Sequence, residues 1–254
     1  MQDEIRKWAE KYVPQFNQLA KENDCCFYTQ SPLNKIISEI DLMIVGINPG
    51  CGGCYKKDLT VDEFLGGNTN WDTRFDEQGV PHKKWGRFLN GVHTFCGHDR
   101  YKHAESIDND SKTVWTNLTP FSTARANELN KKKALLEIGV ESTAKLMLIL
   151  KPKRILLLGK DAFDWIKKAN VITSFEYENA FHNRIPLSIG RINNTPVCCV
   201  VHPTGHWPIS HDFTTQFLDF MKRNDVIENG MPKYSISELI ELLDKDSFLQ
   251  NQIK

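Results

Sequence analysis

The chain has no charge surplus of either sign: 32 Lys and Arg offset 32 Asp and Glu. That balance names no partner, because a nucleic acid needs only the contact face to be positive. Long hydrophobic runs are missing too. No stretch approaches the roughly 18 apolar residues that cross a bilayer, and MQDEIRKWAEKYV at the start lacks the apolar core of a secretory signal. No membrane partner is therefore expected, and a cytoplasmic location is. Internal repeats and low-complexity segments are absent. Gly46, Gly50, Gly52 and Gly53 form neither G-x-x-x-x-G-K-[ST] nor G-x-G-x-x-G, which disfavours a site that cradles nucleotide phosphates. Seven cysteines is an odd count, better suited to a reducing compartment than to a disulfide scaffold.

What is present is a globular composition: 254 residues, 40% hydrophobic and 25% charged. A chain of this length can bury about three quarters of its unfolded surface and folds without disulfides. The expected organisation is one α/β domain over 1–254, its core at about 41–222, with an N-terminal helix at 3–22 and a C-terminal helix at 236–249.

Within the first helix, Ile5, Trp8, Tyr12 and Phe16 follow a helical stripe. DLMIVGI (41–47), TVWTNL (113–118), RILLLG (154–159) and PVCCVV (196–201) read as short buried strands. Between them KKWGRFLNGVHTF (83–95), KALLEIGVESTAKLMLILK (133–151), KDAFDWIKKA (160–169) and the Phe213, Phe217, Phe220, Met221 series have helical spacing, while 50–82 reads as irregular. Alternation of apolar strands with helices predicts a three-layer sandwich around a mainly parallel sheet. Ligands of such sheets bind beyond the carboxyl ends of the strands. Here those ends carry Asn48, Asn117, Gly159-Lys160 and His202.

Each of these residues has an ordinary alternative. Asn48 and Asn117 are natural turn formers before Pro49 and Pro120, and His202 can be structural. Cys51 and Cys54 have the C-x-x-C spacing of redox and zinc motifs. The adjacent pairs Cys25-Cys26 and Cys198-Cys199 do not supply the usual second pair of zinc ligands.

Four segments taken together resemble the uracil-DNA glycosylase superfamily, in the family's order from about 41 to 222. GINPG (46–50) has the form of the first motif of the mismatch-specific uracil and thymine-DNA glycosylases. TNLTPFSTARANELNKKKALLEIG resembles their second segment, and LKPKRILLLGKDAFDWI their helix-Pro-strand-Gly-Lys-x-A segment. HPTG (202–205) resembles the second catalytic motif. The His of that motif, often missing in the mismatch-specific branch, is present as His202. The stretch before Trp85 is longer than in the family, and CGGC lacks the four-cysteine spacing of the iron-sulfur branches.

The resemblance implies a DNA N-glycosylase that flips uracil, or a related damaged or mismatched base, out of DNA and cleaves its glycosidic bond. Asn117 would read the base, because one amide carries both an acceptor and donors. His202 would donate to the departing base and Asn48 would orient water. Backbone of Gly46 and Ile47 would help hold the base, with Phe64, or failing that Tyr55, stacking on it. The loop of His206, Trp207 and Ile209 would contact DNA, with Trp207 or Ile209 as the wedge. The implied protein needs no metal or cofactor and acts as a monomer. The rival readings are a non-catalytic nucleic-acid-binding relative and a C-x-x-C redox or metal protein.

Overall fold

The protein's structure, a computed structural model, describes residues 1–49, 53–67, 112–123, 126–169, 175–179, 187–200, 202, 216, 219–228 and 231–246. The segments 83–95 and 203–209 fall outside that set.

Helix α1 (Gln2–Glu22) buries Ile5, Trp8, Ala9, Tyr12, Val13, Phe16 and Ala20. The stripe seen in the sequence is its core face. Six strands form one sheet among the described residues: β1 (Leu42–Gly46), β2 (Thr113–Asn117), β3 (Ile155–Leu158), β4 (Phe175–Asn179), β5 (Leu187–Ile192) and β6 (Thr195–Val200). Their order is β2-β1-β3-β6-β5-β4. β2, β1, β3 and β6 run parallel, and β5 and β4 continue the sheet antiparallel. The four apolar runs are the four parallel strands. β4 and β5 were not expected, since FEYEN is polar and a glycine interrupts LSIGRI. β5 and β6 are joined through Asn193 and Asn194, with φ of 44° and 70°. Two consecutive residues at positive φ are what a tight type I′ hairpin turn demands, and asparagine tolerates them.

Every position of β1, β2 and β3 is buried. Met43, Val45, Val114, Ile155, Leu157, Val197 and Cys199 join a core shared with α1 and with α3 (Lys133–Leu150). By strand alternation the equally buried Ile44, Trp115, Leu156, Leu158, Cys198 and Val200 lie on the other face. A mostly parallel sheet whose parallel strands are largely buried on both faces, with helices between its strands, is compatible with a three-layer α/β sandwich.

The remaining elements are short. Helix α2 (Val61–Leu65) lies in the stretch expected to be irregular and starts at a Thr60–Glu63 capping box. Helix α4 (Lys160–Ile166) follows β3. Strands β7 (Ile227–Glu228) and β8 (Met231–Pro232) form a small ribbon, and α5 (Ile236–Lys245) begins at a Ser235–Glu238 capping box. Among the described residues no helix is long and apolar enough to cross a membrane.

Two features position the site. β1 lies between β2 and β3, so the chain reaches β2 on one side of β1 and then crosses to β3 on the other. Reversals of this kind open a crevice at the carboxyl ends of the strands, and Gly46–Asn48 occupies that point. Residues 27–31 also line the outer edge of β2. Tyr28 donates its N–H to Pro120 O (3.1 Å) and Ser31 to Trp115 O (2.9 Å), while Trp115 N–H returns a bond to Ser31 Oγ (2.8 Å). An otherwise open strand edge is thereby closed.

Candidate functional site

The site begins with a register. Gly46, last in β1, pairs with Asn117, last in β2. A Cβ at position 46 would lie 2.6 Å from Asn117 Oδ1. Only glycine lets the amide lie across the end of β1. Pairing continues past the strand, with Leu118 N–H to Gly46 O (2.7 Å) and Thr119 N–H to Ile47 O (3.1 Å). On the other side Thr143 Oγ1, from α3, donates to Asn117 O (3.0 Å). The backbone of Asn117 is thus held by two elements. Its side chain is not: the residue is 5% exposed, yet Nδ2 has no hydrogen-bond partner among the described residues. Buried amide donors are rarely left so.

Asn48 stands just beyond. Its Nδ2 donates to Thr123 Oγ1 (2.8 Å), with longer contacts to Thr123 O (3.3 Å) and Pro49 O (3.2 Å). These bonds assign the nitrogen to the protein and leave the amide oxygen as the acceptor that can face a ligand or a water. Thr123 escaped the sequence reading. Its signal lay in the polar run TPFST, where nothing distinguished a positioning hydroxyl from a loop residue. The Asn48 loop is stitched down further along as well, since Cys26 N–H donates to Gly53 O (2.9 Å), Ser122 N–H to Cys26 O (2.8 Å) and Gly53 N–H to Ser122 Oγ (3.3 Å).

His202 follows β6. Gly159, after β3, has φ of +102°, a conformation open to glycine, and a Cβ there would lie 3.4 Å from Ile47 Cδ1 and 3.6 Å from His202 Cβ. Ile47, Gly159 and His202 therefore meet. His202 is half-buried, and desolvation lowers its imidazole to about 4. At neutral pH it is an uncharged ring with one of its two nitrogens protonated. Lys160, next after Gly159, is committed elsewhere: its ammonium bonds Asp164 Oδ2 at 2.5 Å, which raises its pKa.

The stacking aromatic needs correction. Phe64 is 2% exposed and its ring lies 5.7–5.9 Å from those of Trp8, Phe16 and Phe27. It belongs to the core, because α2 folds its apolar face onto α1 and leaves no ring face for a ligand. Tyr55 is half-buried against the core, with its hydroxyl donating to Asp58 Oδ1 (2.7 Å) and its N–H to Asp24 Oδ1 (3.2 Å). His206, Trp207 and Ile209 lie outside the described residues.

The cysteines divide in two. Cys198 and Cys199 are fully buried in β6, where desolvation pushes both thiols up. Such thiols are poor nucleophiles and poor ligands. Cys54 is exposed on its loop, and Cys51 falls outside the described residues. Among the described residues no three His, Cys, Asp or Glu side chains are grouped to hold a metal.

No protein-family model matches the chain, and no curated protein matches it. The geometry of Gly46, Ile47, Asn48, Asn117, Thr123 and His202 stands on its own. A buried amide donor, an amide oxygen with its nitrogen pinned, and a neutral imidazole N–H gather at the end of a mostly parallel sheet. That set can read a polar ring edge, orient a water and stabilise developing negative charge.

Proposed function

We propose that the protein is a uracil-DNA glycosylase-like hydrolase with the three-layer fold of that superfamily, removing uracil or a related base from DNA. The observation that carries the reading is the Asn117 amide, nearly fully buried over Gly46 with its donor unpartnered. Asn48 follows the neighbouring strand β1, and His202 follows β6 at the same edge of the sheet.

The base, flipped from the helix, enters the crevice beyond β1. Asn117 Nδ2 donates to O4 of uracil. The amino group of cytosine would instead meet this donor head-on, leaving buried donors mispaired at a cost of about 1–3 kcal/mol. As the C1′–N1 bond breaks, its electrons pass to the base, largely to O2. His202 donates a hydrogen bond there as a neutral donor. Asn48 is an amide and cannot act as a base near neutral pH. Its oxygen accepts from the attacking water, which adds hydroxyl to C1′, and the base leaves after taking up a proton.

The test is abasic-site formation on uracil-containing single-stranded DNA and on uracil–guanine and thymine–guanine duplexes, with Asn48→Ala as control. The expected result is uracil removal that Asn48→Ala sharply reduces without unfolding the protein. Binding of uracil-DNA without cleavage would identify a non-catalytic relative. Cleavage by Asn48→Ala at the wild-type rate would reduce Asn48-Pro49 to a turn.

A further inference from the structure

Asn117 is not the only buried amide at the end of β2 with an unpartnered atom. Gln30 is 6% exposed, and its Oε1 has no hydrogen-bond partner among the described residues. The register along the edge of β2 brings the two residues alongside each other. Tyr28 bonds Pro120, Ser31 bonds Trp115, and Thr29 Oγ1 lies 3.5 Å from Thr116 Oγ1. Gln30, between Thr29 and Ser31, is therefore beside 115–117. One unsatisfied atom is an acceptor and the other a donor, so the two are complementary to a ring edge that presents an N–H next to a C=O.

We propose that Gln30 is a second base-reading residue: Asn117 Nδ2 donates to a ring carbonyl while Gln30 Oε1 accepts from the neighbouring ring N–H. The ligand class is an imide-edged pyrimidine, with O4 and N3–H of uracil or thymine as the matching pair. Cytosine offers an amino donor and a bare ring nitrogen at those two positions and would oppose both amides. This inference rests on the glycosylase reading and adds to it a residue from outside the four resembling segments.

The experiment uses the full chain and Gln30→Met, which keeps the bulk and removes the acceptor. Three readouts are taken: single-turnover excision of uracil from DNA, binding of free uracil against free 3-methyluracil, which lacks N3–H, and thermal midpoint. Wild type is expected to bind uracil about ten-fold more tightly than 3-methyluracil, the factor one hydrogen bond in a buried site supplies. In Gln30→Met the two ligands should bind alike and excision should fall about ten-fold. The midpoint should hold or rise, since a buried unpaired oxygen is gone. An unchanged uracil to 3-methyluracil ratio overturns the proposal, whatever happens to the midpoint, and leaves uracil excision by the wild type standing. A wild type that neither excises nor binds uracil overturns the glycosylase reading and this inference with it.

Discussion

The aromatic cluster under α1 and the carboxyl edge of the sheet are both buried, but they treat their polar atoms differently. In the cluster, Trp8 Nε1–H donates to Ser142 O (2.9 Å) and the Tyr12 hydroxyl to Glu141 Oε1 (2.7 Å). Around them the rings of Phe16, Phe27, Phe64 and Phe121 meet at centroid distances of 5.5–6.1 Å. At the sheet edge, Asn117 Nδ2 and Gln30 Oε1 are buried without partners among the described residues. An interior that only has to hold itself together pairs its polar groups. Ser38 Oγ and Gln216 Oε1 are unpartnered as well, but at the end of β2 two amides carry this cost on neighbouring segments, as functional sites commonly do.

The sharpest way to break this comparison is a matched pair of truncations read by urea unfolding. Phe16 is 0% exposed and touches the rings of Tyr12, Phe27, Phe64 and Phe121. Phe16→Ala should cost about 3–5 kcal/mol, the lost burial plus the cavity left behind. Asn117→Leu, which replaces an unpaired buried amide with an apolar group of similar size, should be close to neutral in stability while abolishing uracil excision. Comparable losses of stability in both variants would mean that Asn117 is a structural residue and the two regions do not differ.

A smaller effect is expected at His202. His202→Ala should slow single-turnover cleavage on the order of 10²-fold, the usual loss for one preorganised donor, with DNA affinity little changed. Desolvation holds the folded imidazole at about 4, against 6.5 for an ordinary histidine. Cleavage should therefore not rise as pH falls through 6.5, as it would if a cationic imidazole were the donor. Stability responds differently. Below about 6.5 the unfolded chain takes up a proton at this residue and the folded one does not until about 4, so folding stability should decline across that window. His202→Gln should flatten the decline. A wild-type cleavage rate in His202→Ala would return the residue to a purely structural role.

How far these regions were legible in the sequence follows from what each depends on. The α1 stripe and the four parallel strands were readable because burial on one or both faces writes itself as period or as an apolar run. Asn48, Asn117 and His202 were placed at strand ends by the same logic. Phe64 was misplaced because an aromatic next to a glycine-rich loop has the same letter whether it packs inward or faces a ligand, and only the capped turn of α2 decides. Strands β4 and β5 were missed because an antiparallel extension with polar strands carries no apolar run. Thr123 and Gln30 were invisible for another reason. Thr123 holds Asn48 across 75 residues of sequence, and Gln30 is placed by the closed outer edge of β2, neither of which a local pattern records.

The smallest expected effect concerns the C-x-x-C segment. The loop that carries Asn48 is fastened by main-chain atoms of Gly53, through Cys26 N–H and Ser122 Oγ, and not through the Cys54 thiol, which is exposed. A Cβ at position 53 would lie 2.6 Å from Cys26 Sγ. The close approach there thus depends on the glycine between the motif's cysteines more than on the cysteines. Cys51→Ser combined with Cys54→Ser should shift stability by no more than about 0.5 kcal/mol, as surface substitutions generally do, and should leave uracil excision near the wild-type rate. Gly53→Val, by contrast, forces the loop away from Cys26 and with it the backbone leading to Asn48, so excision should drop in that variant. Metal analysis and an absorption spectrum accompany the double serine variant. Loss of a bound metal or a chromophore on going from wild type to that variant would make the thiols, and not the Asn48 turn, the chemical centre of this loop.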